Sequence, residues 1–135
     1  MKKIIVSIFC VLISLVTYSQ LPEYVISNEW ETDDQAKTEK LMNDWKNLIL
    51  EMDENAPRTF LLTEMDGNTV YFGQSFESLA AFEKWQKNWN ENFRAEAIKK
   101  FREMNGENAF EGTNTEFVMG HIFKMRPDLS YVPDG

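Results

Sequence analysis

Hydrophobic and polar positions alternate with a period of two in the first segment after residue 22, EYVISNEWE. One face of this segment carries large side chains and a single amide: Tyr24, Ile26, Asn28 and Trp30. A period of two is typical of a strand with one buried face, so residues 23–31 are predicted to form the first strand. Thr32-Asp33-Asp34-Gln35 follows and predicts a capping box with Thr32 as the N-cap of a helix.

The next segment changes to a spacing of three and four residues between apolar side chains. The apolar positions are Leu41, Met42, Trp45, Leu48, Ile49 and Met52. This spacing predicts an amphipathic helix of about five turns. The helix is expected to end before Pro57, because a proline disfavours helical geometry in the residue that precedes it.

Two runs rich in β-forming residues, RTFLLTEM and NTVYFGQSF, flank Asp66 and Gly67. An Asp-Gly pair between such runs is a strong signal for a β-hairpin. Ser78 then predicts the N-cap of a second helix that begins at Leu79.

The second helix carries an aromatic stripe. At 100° per residue, Leu79, Phe82, Trp85, Trp89 and Phe93 share a face about 120° wide, which is a normal width for a core-facing stripe. Phe82, Trp89 and Phe93 are therefore predicted to belong to the core. Trp85 lies at the edge of the stripe beside Ala81, where a large ring borders a cavity or simply completes the core.

The aromatic stripe does not continue beyond residue 93. The apolar face rotates by nearly a right angle, and Asn88, Asn90 and Asn92 lie at the change. Asparagine is a weak helix former that suits helix ends, so a break is predicted near Asn90–Asn92. A second short helix is predicted from about Phe93 to Met104, followed by a turn-rich loop in which Gly106 suits the helix C-terminus.

The segment TEFVMGHIFKMR predicts a last strand that Pro127 ends, with an extended tail after it. The element order β-α-β-β-α-β predicts an α+β, ferredoxin-like fold, a four-stranded antiparallel sheet with both helices on one face. The other face of the sheet would be rich in Phe and Met side chains. Because such a face is unfavourable in water, we expect two sheets to pack together in a homodimer, a dimeric α/β barrel.

The first twenty residues read as a secretory signal peptide. Lys2 and Lys3 precede an apolar run from Ile4 to Val16, and small residues follow at Thr17 and Ser19. The run is shorter than the ~20 residues that a membrane-spanning helix needs. Residues 1–20 are therefore predicted to be removed, and residues 21–135 to form one exported domain, periplasmic or extracellular, that is not bound to the membrane.

Composition narrows the classes of function. Cys10, within the signal peptide, is the only cysteine, so the mature chain has neither a disulfide nor a thiol. Removal of two lysines changes the charge from −8 (14 − 22) to −10 (12 − 22), a balance that disfavours nucleic acid as a partner. No metal-ligand spacing, glycine-rich phosphate loop or nucleophile elbow is present in the sequence, so no metal or other cofactor is predicted.

Two local sequences carry a resemblance to a known family. SNEWE, with Asn28, and SLAAFEKWQKN, with Trp85, resemble segments of the dimeric α/β-barrel superfamily. Within it the chain is most similar to the antibiotic biosynthesis monooxygenase family and the related haem-degrading monooxygenases. The resemblance implies a ferredoxin-like dimer in which Asn28 and Trp85 position a substrate that reacts with oxygen, without a metal or flavin.

The haem-degrading members add a histidine on the helix that carries the tryptophan. The present sequence has no histidine after Trp85 on that helix, and its only histidine is His121 on the last strand. Haem degradation by that mechanism is therefore not expected.

Four residues are candidates for a ligand pocket: Asn28, Trp30, Trp85 and His121. Asn28 makes a structural hydrogen bond, forms a polar spot in the dimer interface or presents a polar group to a ligand, since a desolvated amide needs a partner. His121 shares an apolar face of the last strand with Phe117, Met119, Phe123 and Met125. It is either a structural residue on this face or a general base. No catalytic residue is identified.

Three functions remain open. The first is an exported protein that binds a small apolar or aromatic molecule without chemistry. The second is a cofactor-free monooxygenase or isomerase, with Asn28 holding the substrate. The third is a structural or interaction domain with a filled interior. A cavity that touches both Asn28 and Trp85 separates the first two functions from the third.

Overall fold

The computed structural model describes residues 22–65 and 67–126. The predicted signal peptide, Asp66 of the predicted hairpin and the tail from Pro127 lie outside the described residues. The strands are β1 (Tyr24–Glu31), β2 (Arg58–Thr63), β3 (Thr69–Phe76) and β4 (Glu116–Lys124). The helices are α1 (Gln35–Met52), α2 (Leu79–Asn92) and α3 (Arg94–Asn105). Among the described residues, no helix combines the length and apolar character that crossing a membrane requires.

The strands form one antiparallel sheet in the order β2-β3-β1-β4. The first strand is therefore central, and the two βα connections place the helices over one face of the sheet. This order confirms the predicted α+β, ferredoxin-like fold. The hairpin between β2 and β3 is also confirmed, with Thr63 opposite Val70 at its closed end.

The start of α1 differs from the prediction. Asp34, and not Thr32, is the N-cap, because its carboxylate accepts a hydrogen bond from the Lys37 backbone N–H at 3.0 Å. Thr32 accepts instead from the Asp34 N–H at 3.1 Å. The physical reason is that the Thr32 hydroxyl lies in the interior, where it bonds Thr38 and the Thr113 carbonyl.

The break in the aromatic helix is confirmed. Helix α2 begins with the predicted cap, in which the Ser78 hydroxyl accepts from the Ala81 N–H at 3.0 Å. It ends at Asn92, and Phe93 joins it to α3 with a non-helical φ of −120°. Gly106 then ends α3 with a φ of 88°, a left-handed conformation that favours glycine.

The core between α1, α2 and α3 is centred on Ile49, Trp89 and Ala97. Trp89 is buried as predicted, whereas Phe82 and Phe93 are only half-buried. Leu79, placed on the same stripe by its helical angle, is 40% exposed. Of these four stripe residues, only Trp89 is therefore fully buried, and the residues on either side of it along the helix are partly exposed.

Strand β4 contains an irregularity that the alternating sequence does not reveal. Its register with β1 shifts between Glu29 and Trp30, so that Trp30 lies opposite Phe117 while Glu29 lies opposite Met119. The rings of Trp30 and Phe117 meet edge to face, with centroids 5.3 Å apart. The prediction that Phe117 shares a face with His121 is therefore wrong, because the extra residue of a bulge reverses the alternation.

Four threonines join the start of α1 to the loop before β4. Their side-chain oxygens lie close together, with separations of 2.8 Å for Thr32–Thr38, 2.9 Å for Thr38–Thr115 and 2.6 Å for Thr113–Thr115. Thr32, Thr38 and Thr113 are buried. Since buried hydroxyls are costly without partners, the cluster fixes this loop against the helix.

Replacing Thr38 by Val tests the contribution of this threonine cluster. The substitution keeps the shape of the side chain but leaves the Thr32 and Thr115 hydroxyls with one partner fewer. We expect the free energy of unfolding, measured with denaturant, to fall by about 1–3 kcal/mol. Thr63→Val is the control, because Thr63 is exposed on β2, and its effect should stay within about 0.5 kcal/mol. Equal effects of the two substitutions would contradict the role of the cluster.

Candidate functional site

A cavity of about 670 Å³ lies between the sheet and the helices, and we call it the inner cavity. Its lining comes from β1, β3, all three helices and the loop before β4. The lining residues are Ile26, Asn28, Trp30, Met42, Trp45, Ile49, Phe72, Gln74, Phe82, Trp85, Gln86, Trp89, Asn90, Phe101, Phe110 and Thr115.

Aromatic rings dominate the inner cavity. All four tryptophans of the chain line it, namely Trp30, Trp45, Trp85 and Trp89. Trp85 and Trp89 are one helical turn apart and stack, with ring centroids 5.7 Å apart at 17°. Trp45 meets Trp89 edge to face at 6.2 Å. The rings fix one another and present flat apolar surface to the space between them.

The polar groups of the inner cavity are neutral. Asn28 on β1 and Gln74 on β3 are diagonal neighbours on the helix-facing side of the sheet, because Asn28 pairs with Phe72 and Ile26 pairs with Gln74. The remaining polar lining residues are Gln86, Asn90 and Thr115. All the lining residues belong to the described part of the chain, and none of them is ionisable.

Asn28 has room at the centre of the sheet because its neighbour on β4 is Gly120. A Cβ atom added at Gly120 would lie 3.4 Å from Asn28 Oδ1, at the lower edge of ordinary van der Waals contact. An alanine there would touch the amide without displacing it, so the glycine leaves this side of Asn28 open.

Trp85 is held by a contact that sequence reasoning missed. Its indole Nε1 donates to Asp53 Oδ2 at 2.9 Å, and Asp53 Oδ1 accepts from the Asn55 N–H at 2.9 Å. Asp53 is 4% exposed and is the C-cap of α1. A buried carboxylate requires such donors, so it orients the Trp85 ring at the wall of the inner cavity.

His121, the fourth candidate, lies on the opposite face of the sheet and does not line the inner cavity. It pairs in register with Ser27, one residue from Asn28, and side chains of successive strand residues point to opposite faces. Its Nε2 lies 2.7 Å from Glu29 Oε2, and its ring stacks on Phe123 at 5.5 Å. The structure thus brings together Asn28, Trp30 and Trp85 but separates His121 from them.

The Glu29–His121 pair lies on the helix-free side of the sheet, which we call the open face. Cross-strand neighbours form three rows on this face. The rows are Leu62–Tyr71–Glu29–Met119, Phe60–Gly73–Ser27–His121 and Arg58–Ser75–Val25–Phe123. Partial desolvation raises the pKa of Tyr71 above its ordinary value, and the nearby carboxylates of Glu29 and Glu64 add to the rise. The Tyr71 hydroxyl therefore remains protonated at neutral pH.

Sequence reasoning missed several residues of the site, some that give a local signal and some that do not. Gln74 interrupts the apolar alternation of β3 in the same way that Asn28 interrupts β1, so the same sequence signal identifies it. Asp53 and Phe110 give no local signal, because their roles depend on contacts between distant segments. Within residues 22–65 and 67–126, no cluster of three or more potential metal ligands is present.

No family model and no curated protein matches the chain. Among solved structures, SnoaB, a cofactor-independent oxygenase from Streptomyces nogalater, is similar with a TM-score of 0.46 and 18% sequence identity. The similarity covers 84% of the present chain and 100% of SnoaB. The assignment of the ferredoxin-like fold rests on the strand order of the sheet.

Breaking the contact between Trp85 and Asp53 tests its role at the site. Asp53→Ala leaves the indole N–H without its acceptor, and we expect a loss of about 1.5–3 kcal/mol in the free energy of unfolding. Trp85→Phe removes the donor together with the five-membered ring of the indole and keeps one six-membered aromatic ring at this position. In a double-mutant cycle the two substitutions should couple by about 0.5–3 kcal/mol. Additive effects would show that the bond does not hold the ring.

Proposed function

We propose that the chain is an exported protein that binds a small, uncharged aromatic molecule in the inner cavity. The observation that carries the proposal is the composition of the lining: four tryptophans, further aromatic rings and neutral amides surround one space that touches both Asn28 and Trp85. A largely apolar space with a few placed polar groups is typical of small-molecule sites. The predicted signal peptide supports export.

The absence of ionisable groups from the lining supports an uncharged ligand. An ion that entered the inner cavity would lose hydration without meeting an opposite charge, which is unfavourable. A planar aromatic molecule would stack on rings such as Trp85, while Asn28 and Gln74 would offer both donors and acceptors to its polar substituents. These amides would orient the ligand on the sheet.

Binding without chemistry is favoured over a cofactor-free oxygenase or isomerase. Such reactions begin with removal of a proton, for which a base near the operating pH is the usual device. Neither candidate base lines the inner cavity, since Asp53 is bonded to the Trp85 indole and His121 lies on the open face. For removal of the proton, an enzyme with this site would therefore depend on the neutral amides of the lining and on the acidity of its own substrate.

We further propose that the open face pairs with the open face of a second copy. Large apolar side chains are exposed there, among them Leu62, Met119 and Phe123. The central carboxylate of Glu29 already has a partner, because its Oε2 lies 2.7 Å from His121 Nε2. A second copy would thus cover apolar surface without leaving this carboxylate unpartnered.

Two related fluorescent dyes test the proposed ligand class. N-phenyl-1-naphthylamine is neutral, and 8-anilino-1-naphthalenesulfonate has the same ring systems with an added sulfonate. We expect the neutral dye to bind about tenfold more tightly or better, a difference of about 1.4 kcal/mol. Equal or tighter binding of the anionic dye would contradict an uncharged site.

Filling the inner cavity provides the matched variant for this dye experiment. Ile26→Phe adds a ring to the sheet side of the inner cavity and should weaken binding of the neutral dye by about tenfold or more. Leu50→Phe adds a ring to an exposed position of α1 and should leave the affinity unchanged. If both variants bind as the parent chain does, the dye occupies another surface.

The assembly is tested by sedimentation of residues 21–135 at micromolar concentration, where we expect the mass of a dimer. Phe123→Lys places a charge on the open face and should give monomers. Ile122→Lys is the control, since Ile122 is 63% exposed on the other side of the same strand and Phe123 is 52% exposed. A monomeric parent chain, or equal effects of the two variants, would overturn the proposed dimer.

A further inference from the structure

A second cavity adjoins the inner one. This outer cavity has a volume of about 520 Å³ and is formed mainly by α3 and the loop that follows it. Trp45, Phe101 and Phe110 line both cavities. The two spaces are therefore separated by an aromatic wall that consists of these three residues.

The two sides of the aromatic wall differ in charge. The outer cavity is lined by Arg102, Glu107 and Glu111, and Arg102 Nε lies 3.5 Å from Glu107 Oε2. The inner cavity has no ionisable lining residue. A ligand that crossed the wall would leave an apolar, neutral space and enter one with charges of both signs.

Phe110 is the most exposed member of the wall and the only one carried by a loop. Trp45 and Phe101 belong to α1 and α3, and their rings meet edge to face at 5.7 Å. Phe110 stacks on Phe101, with centroids 6.2 Å apart at 19°, and is 38% exposed. Its ring closes the wall without being part of the buried core.

The backbone at Phe110 is fixed by the threonine cluster. The Phe110 carbonyl accepts from the Thr113 hydroxyl at 2.7 Å and from the Thr113 N–H at 3.2 Å. Thr113 is buried and bonds Thr115, a residue of the inner-cavity lining. Because these bonds involve only the main chain of Phe110, they remain when its ring is removed.

We infer that the Phe110 ring limits the length of the ligands that the site accepts. This inference rests on the proposed binding function and deepens it. With the ring in place, the site accepts compact aromatic ligands that fit within the inner cavity. An elongated ligand, or one with a polar extension, needs the outer cavity as well, and the Phe110 ring blocks its path. The outer cavity becomes the second compartment of the site when the ring is absent.

The test compares two neutral fluorescent probes, compact N-phenyl-1-naphthylamine and rod-shaped 1,6-diphenylhexatriene. In Phe110→Ala, we expect the affinity for the rod to rise about tenfold relative to the affinity for the compact probe. Phe110→Leu, which keeps much of the bulk, should give a smaller change. Met104→Ala is the control, because Met104 is an exposed residue of α3 that lines neither cavity.

The outcomes separate this inference from the function on which it rests. If the compact probe binds and the ratio of affinities is unchanged in Phe110→Ala, the role of Phe110 is wrong and the binding function stands. If neither probe binds the parent chain or any variant, both are wrong. An unchanged melting temperature of Phe110→Ala would establish that a new ratio does not come from unfolding of the loop.

Discussion

The hydrogen bond from the Trp85 indole to the Asp53 carboxylate connects the two longest helices above the sheet. Asp53 is the C-cap of α1 and Trp85 belongs to the second turn of α2. The bond therefore joins the C-terminal end of α1 to the N-terminal half of α2. Trp85 in turn stacks on Trp89, which meets Trp45 of α1. The inner cavity is the space that remains between these rings and the neutral amides of the sheet.

The distribution of charge gives this space its chemical character. The chain carries a net charge of −8, yet none of the described residues that line the inner cavity is ionisable. Asp53, a buried carboxylate outside this lining, accepts hydrogen bonds from the Trp85 indole and the Asn55 backbone N–H. The Glu29–His121 pair belongs to the open face. The charged groups are thus carried by surfaces other than the inner cavity, a separation that supports the proposed neutral ligand.

The sequence predicted the features that depend on local periodicity. These are the strand with Asn28, the Ser78 cap and the break near Asn90–Asn92. It did not predict features that depend on contacts between distant segments. Thr32 is not the N-cap because Thr113 and Thr38 occupy its hydroxyl. A β-bulge places Phe117 on the face opposite to the predicted one. The role of Asp53 depends on its hydrogen bond with Trp85, which belongs to another helix.

Nuclear magnetic resonance of the indole N–H groups tests the central claim most directly, because all four tryptophans of the chain line the inner cavity. The four indole signals are followed during titration with 1-naphthol, a compact neutral aromatic. The account predicts that the four indole signals shift together and saturate with one affinity, while the ring signals of His121 on the open face do not move. Saturable shifts at His121 with unchanged indole signals would contradict it.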